Sequence, residues 1–256
     1  MKYIFLIIII WIIIFYFINN ILKHNIFIYE KFDNKNTIPK IIIQTWKTKV
    51  IPDKYKEDVA SVKKYNSDYQ YIFFSDDDIE NFLKENYPEY YETYSKLPVK
   101  IQKIDFFRYI AVYHYGGFYF DLDITGMYPL KELLDYECVF PVDQNIPKNK
   151  CNRRRLKKYC KANMDILLGQ YAFGARQYNP FIKLLIDTIH NNIDKYVKNY
   201  KKNGHTLQYV YSSTGPDFVT DVYMDYDDKE SIHILKFDIA QYFGKYAKHN
   251  HLGTWK

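Results

Sequence analysis

Tyr115-Gly116-Gly117-Phe118-Tyr119-Phe120-Asp121-Leu122-Asp123-Ile124 is the stretch on which the reading of this chain turns. A run with Ile104, Phe107 and Ala111 at helical spacing covers Lys100 to Tyr115 and stops at Gly116, and Gly117 opens a strand over 118–124. Side chains alternate along a strand, so Phe118, Phe120, Leu122 and Ile124 are expected on the core side and Tyr119, Asp121 and Asp123 on the other. Two carboxylates projected together repel unless a cation lies between them, and hard oxygen donors of this kind suit Mn²⁺ or Mg²⁺. Such an ion could hold a departing diphosphate. A solvated pair of aspartates at a strand end is the plain alternative, and a bare DxD tripeptide does not decide between them.

Working outward, Ile41-Ile42-Ile43 and Tyr69 to Phe74 read as strands buried on two faces, with further strands over 138–142 and 232–237. Between them, 79–87 reads as a helix behind the Ser75-Asp76-Asp77-Asp78 cap, and 180–201 as one long amphipathic helix. Strands alternating with helices predict an α/β sandwich with a largely parallel sheet, whose ligands sit beyond the carboxyl ends of the strands. Asp105 and Arg108 lie at i and i+3 on the helix before the aspartates, which makes them either a surface ion pair or a pair that binds hydroxyl groups.

These residues also carry a resemblance. Ile101 to Tyr109 followed by Tyr115 to Asp123 resembles the DXD sugar-binding region of glycosyltransferase family 32. The similarity extends upstream to Ile38-Pro39-Lys40-Ile41-Ile42-Ile43-Gln44-Thr45-Trp46. Downstream it includes Gly174-Ala175-Arg176, Asn179-Pro180-Phe181, Thr214-Gly215-Pro216 and His249 to Trp255. The resemblance implies a GT-A fold, a divalent cation (Mn²⁺ or Mg²⁺), a nucleotide-sugar donor (UDP- or GDP-sugar), and transfer of a hexose with retention to a glycan, lipid or protein acceptor. It implies Asp123 as direct metal ligand, Asp121 on the ribose and on the metal through water, and Asp105 and Arg108 on the donor sugar, with Tyr119 lining the same pocket. Trp46 would stack on the base, and the closing segment would fold over the diphosphate, with His249 preferred to His251 as metal contact and Trp255 beside the donor. Ile43 departs from the histidine common at that position in relatives. Asp165 and Gln170 are open as groups on the acceptor side.

Two other readings stay open. Phe120 to Thr125 also fits the DxDxT opening of haloacid-dehalogenase-type phosphatases, with Asp121 as nucleophile and Asp123 as acid/base, although about 80 residues of globular sequence precede it. The third is a non-catalytic, membrane-tethered binding protein.

The rest of the chain sets the frame. Its 256 residues suit one substantial domain with appendages, and 28 Tyr and 18 Phe argue for a packed core. Residues 3–18 are all apolar or aromatic and the run reaches Leu22, long enough to span a bilayer, so residues 1–22 are expected to be a transmembrane anchor, 23–36 a stalk and 37–256 the globular domain. Lysines after the span favour a cytosolic domain under the positive-inside rule, whereas anchored glycosyltransferases commonly place theirs in the lumen of an endomembrane such as the Golgi or ER. The net charge of +6 is too weak and too dispersed to indicate nucleic acid. Cys151 and Cys160 leave both a bridge and free thiols open. The basic run over 148–161 is either a solvated loop or a contact for anionic lipid headgroups.

Overall fold

The computed structural model describes residues 37–204, 206–236 and 242–252, and the expected anchor over 1–22 and stalk over 23–36 lie outside them. Among the described residues no helix is long and apolar enough to cross a membrane. The strands are β1 (Ile41–Thr45), β2 (Gln70–Phe74), β3 (Gly117–Phe120), β4 (Ile124–Gly126), β5 (Cys138–Asn145), β6 (Ile166–Leu168), β7 (Ala172–Ala175), β8 (Ile232–Leu235), β9 (Tyr242–Phe243) and β10 (Ala247–His249). The helices are α1 (Asp53–Tyr65), α2 (Asp76–Asn86), α3 (Pro88–Lys96), α4 (Lys100–Tyr115), α5 (Lys157–Lys161), α6 (Pro180–Asn191), α7 (Ile193–Asn203), α8 (Leu207–Ser213) and α9 (Pro216–Asp225).

The main sheet runs β2-β1-β3-β7-β5-β6, with β8 also paired to β5. Strands β2, β1 and β3 are parallel, as are β5 and β8, while β7 and β6 run against their neighbours. Because β7 is antiparallel to both β3 and β5, the carboxyl ends of β1, β3 and β5 all open on the same edge. A second, small sheet, β4-β10-β9, is entirely antiparallel.

Alternation along the central strands sorts the core into two layers. Ile43 and Tyr119 face a cluster built with Phe82, Phe107, Ile110 and Phe181 from α2, α4 and α6. Ile42, Phe118 and Phe120 face the other way, onto Val62 of α1 and Ile124, Phe243 and Ala247 of the small sheet. Helix α4 is buried without interruption from Asp105 to Val112, so it is a central helix rather than an amphipathic cover. It ends at Gly116, whose φ of 66° caps the helix, and Gly117 follows at φ 89°. A Cβ on Gly117 would lie 2.4 Å from the Ile41 carbonyl oxygen, so β3 reaches β1 only with glycine there.

Three sequence expectations are revised. The strand expected over 118–124 ends at Phe120; Asp121 to Asp123 form a turn, closed by Ile124 N–H donating to Asp121 O at 3.2 Å, and the chain then joins the second sheet. The apolar side also divides there, since Leu122 packs with Tyr55 and Val59 of α1. The single helix expected over 180–201 breaks at Asn192 into α6 and α7, where the Asn192 amide Nδ2 donates to Thr188 O. Helix α2 starts at Asp76, earlier than Ile79, because Ser75 and Asp78 form a reciprocal capping box.

The basic run is folded rather than loose. Cys151 and Cys160 are joined by a disulfide, and Leu156 and Tyr159 pack with Ile146 and Leu167. Arg155 holds the buried Asp217 at the start of α9 through two Nε contacts of 3.0 and 2.9 Å. Cys138 is a buried free thiol.

Candidate active site

A cleft of about 400 Å³ opens on the edge formed by the carboxyl ends of β1, β3 and β5. Trp46, Asp105, Arg108, Tyr119, Asp121, Asp123 and His249, drawn from distant parts of the chain, all line it. Trp255 lies outside the described residues.

The centre is Arg108, 1 % exposed, whose Nη2 lies 3.2 Å from both Asp105 Oδ1 and Asp121 Oδ1. Its Nη1 donates to Gln170 O at 2.8 Å and its guanidinium lies over the Tyr119 ring, 4.6 Å from the centroid. Asp105 is equally buried and accepts from Thr214 Oγ1 at 2.8 Å and Gln170 Nε2 at 3.2 Å. The reading of Asp105 and Arg108 as a surface ion pair is therefore excluded: both carboxylates need the one cation. Burial pushes the Asp105 carboxyl up to about 6 against the opposing pull of Arg108.

The turn gives the two aspartates different surroundings. Asp121 Oδ1 accepts from Tyr119 OH at 2.9 Å, and that hydroxyl is also 3.1 Å from Thr45 Oγ1. Burial raises its pKa, and Arg108 only partly offsets this. For Asp123 burial acts in the same direction but is outweighed by the His249 imidazole and the Leu252 N–H, 2.9 Å from Oδ2, so its pKa falls below the usual range.

His249 reaches Asp123 because β10 pairs with β4 directly after the turn, with His249 opposite Ile124. Asn250 fastens this closure: its N–H donates to Asp123 O at 2.9 Å, and its side-chain Nδ2 donates to Asp58 Oδ1 at 3.0 Å and Thr125 Oγ1 at 2.9 Å. The His249 ring stacks on Tyr171 at 4.3 Å, and Nε2 lies 3.5 Å from Asp123 Oδ1. One ligand atom each from Asp121, Asp123 and His249 fall within 4.8 Å of one another, and buried His249 Nδ1 has no hydrogen-bond partner among the described residues. Two carboxylates with one imidazole form a donor set that fits a divalent cation.

Trp46 follows β1 directly, with its N–H bonded to Phe74 O and its ring edge-on to Tyr55 at 5.1 Å, half-buried at one end of the cleft. Of the two residues left open for the acceptor side, Gln170 is in the cleft, whereas Asp165 is exposed and does not line it. The sequence reading missed Asp143, Tyr171 and Tyr211, which line the cleft, Tyr171 against His249. Asp143 carried a usable signal: like Asp121, it is the first acid after a buried apolar strand, here Cys138 to Val142. Ile43 is fully buried in the core and takes no part.

Residues 52–140 match the family described as the glycosyltransferase sugar-binding region containing the DXD motif. The chain is 30 % identical over 179 residues to inositol phosphoceramide mannosyltransferase 2 of Schizosaccharomyces pombe, covering 70 % of this chain and 44 % of that protein. It is 25 % identical over 221 residues to the initiation-specific alpha-1,6-mannosyltransferase of Candida albicans, covering 76 % and 54 %. The chain thus spans about half the length of these curated relatives. The solved PaToxG glycosyltransferase superposes with a TM-score of 0.51 at 18 % identity, over 76 % of this chain and 73 % of that one, a likeness of fold. Residues 52–140 thus match a DXD-type glycosyltransferase sugar-binding region, the fold is glycosyltransferase-like α/β, and the chain is similar to fungal mannosyltransferases over about half of their length.

Proposed function

We propose that this chain is a metal-dependent, configuration-retaining glycosyltransferase that moves a hexose from a UDP- or GDP-sugar to a glycan, lipid or protein acceptor, tethered to an endomembrane by residues 1–22. The observation that carries the proposal is the convergence of Asp121, Asp123 and His249 with the buried Asp105/Arg108 pair in one cleft that begins at Trp46. Relatives named as mannosyltransferases favour mannose as the sugar, and those named for inositol phosphoceramide favour a lipid acceptor. The Cys151–Cys160 disulfide suits an oxidising lumen and weighs against a cytosolic domain.

Asp121, Asp123 and His249 would hold the cation, which when bound supplies positive charge against the departing diphosphate. Asp105 and Arg108 would fix the hydroxyls of the donor sugar, and their burial holds both groups in place before the donor arrives. Trp46 would stack on the base. The rival phosphatase reading needs Asp121 as a free nucleophile; here its Oδ1 is bonded to Tyr119 and paired with Arg108.

The test is nucleotide release by the full chain in detergent from a panel of UDP- and GDP-sugars with Mn²⁺. Asp123→Ala is expected to lower the rate at least about 100-fold, since it removes a ligand itself rather than a supporting group. Phosphate release from simple phosphomonoesters without Mn²⁺, and no turnover of any sugar nucleotide, would overturn the proposal.

A further inference from the structure

The strand order assigns the ends of the cleft. Trp46 leaves β1, Asp121 leaves β3, Gln170 and Tyr171 precede β7, and Asp143 lies on β5, so they succeed one another along the sheet in the order β1-β3-β7-β5. At about 4.8 Å per strand, Asp143 lies on the order of 10 Å beyond the aspartate turn, on the side away from Trp46. A nucleotide stacked at Trp46 with its diphosphate at Asp121 and Asp123 leaves that end free.

This end is built for a ligand. The pairing of β5 with β6 shifts register between Val142 and Gln144, making Asp143 the extra residue of a β-bulge, a device that re-aims a side chain at a strand's end. Its carboxylate lines the cleft and, among the described residues, is influenced by Arg155, His249 and Asp217 only through charge, with no hydrogen bond donated to it. Opposite lie Tyr211, Gly215 and Pro216 from the α8–α9 junction. The guanidinium of Arg155 braces that wall, lying over the Tyr211 ring at 5.1 Å while it grips Asp217. Arg155 belongs to the disulfide-closed basic insert, so this arginine supports the far wall of the cleft.

Resting on the glycosyltransferase reading, we propose that Asp143, with Tyr211, forms the acceptor subsite and binds a vicinal diol of a polyol ring, a sugar or a cyclitol. A carboxylate with unfilled acceptor positions takes two neighbouring hydroxyl donors, and a tyrosine ring such as that of Tyr211 covers the C–H face of such a ring. The substrate is thus recognised by its ring hydroxyls at this point, whatever is attached to it.

The test uses the full chain in detergent with Mn²⁺, GDP-mannose as donor, and methyl α-mannoside or myo-inositol as separate acceptor probes. Acceptor-stimulated release of GDP is followed for the wild type, Asp143→Ala and Asp143→Asn. In both variants the KM for the acceptor is expected to rise at least tenfold while the KM for GDP-mannose moves less than twofold; which probe shows the effect separates sugar from cyclitol. An unchanged acceptor KM in the near-isosteric Asp143→Asn, or equal rises for donor and acceptor, overturns the subsite alone. Nucleotide release by the wild type from GDP-mannose or any other sugar nucleotide sustains the transferase reading, with the acceptor series run on whichever donor it uses; release from none overturns that reading and the subsite with it.

Discussion

At the scale of single residues the site turns on Arg108, which balances two carboxylates inside the protein. Removing the buried Arg108 cation leaves the buried Asp105 carboxylate without its counter-charge, so Arg108→Ala should destabilise the domain by about 3–5 kcal/mol, read as a lower urea midpoint. Arg108→Lys should not restore it, because an ammonium cannot span Asp105, Asp121 and the Gln170 carbonyl in a planar fork. Asp143 differs in being half-buried at the cleft wall without a bonded partner among the described residues, and burial pushes its carboxyl from 3.8 to about 6. A carboxyl raised in the folded state binds its proton more tightly there than in the unfolded chain. Its contribution is therefore fully present below about pH 4 and is lost as pH rises through about 6. Urea unfolding of Asp143→Asn across this range should show its stability relative to wild type increasing with pH; a constant difference would contradict the assignment.

At the scale of elements, the site depends on how closely β3 lies against β1. Gly117 combines φ of 89° with a Cβ position 2.4 Å from the Ile41 carbonyl, and β3 ends in the aspartate turn. Gly117→Ala should therefore cost at least about 2 kcal/mol and displace Asp121 and Asp123, measurable as a lower melting temperature together with weaker Mn²⁺ binding. The β4–β10 ladder has the complementary task. It carries His249 back to the turn, and the Asp58–Thr125–Asn250 bonds secure it.

At the scale of the whole molecule, the cleft is a meeting place for groups that begin at β1 and end at β10, so a ligand filling it couples the main sheet, α4 and the small sheet. Nucleotide and metal should then stabilise together: GDP or UDP with Mn²⁺ at about a hundred times its Kd contributes about 2.7 kcal/mol, roughly 5–10 °C in melting temperature for a domain of this size. Nucleotide without metal should give much less, and Asp123→Ala should remove the cooperative part; an equal shift with and without Mn²⁺ would exclude metal from donor binding.

Much of this architecture was legible in the chain because its signals are local. Helix α4 ends where Gly116 stops it, the apolar runs at Ile41 and Tyr71 become neighbouring strands, and the tripeptide Asp121-Leu122-Asp123 marks the site by its place after a buried strand. Other features depend on which distant segments meet. Sequence spacing left Asp105 and Arg108 as a surface pair or a buried one; the packing of α4 against Thr214 and Gln170 decided burial. It left Cys151 and Cys160 open, and the packing of Leu156 and Tyr159 folds the insert in which they pair. Asp143 had a sequence signal, but its place in the cleft depends on a bulge, and His249 reached Asp123 only through the register of β10 on β4. Periodicity and turn chemistry are written within a few residues and determine the elements; the company that the two aspartates keep is fixed by long-range strand pairing and burial, which only the tertiary structure supplies.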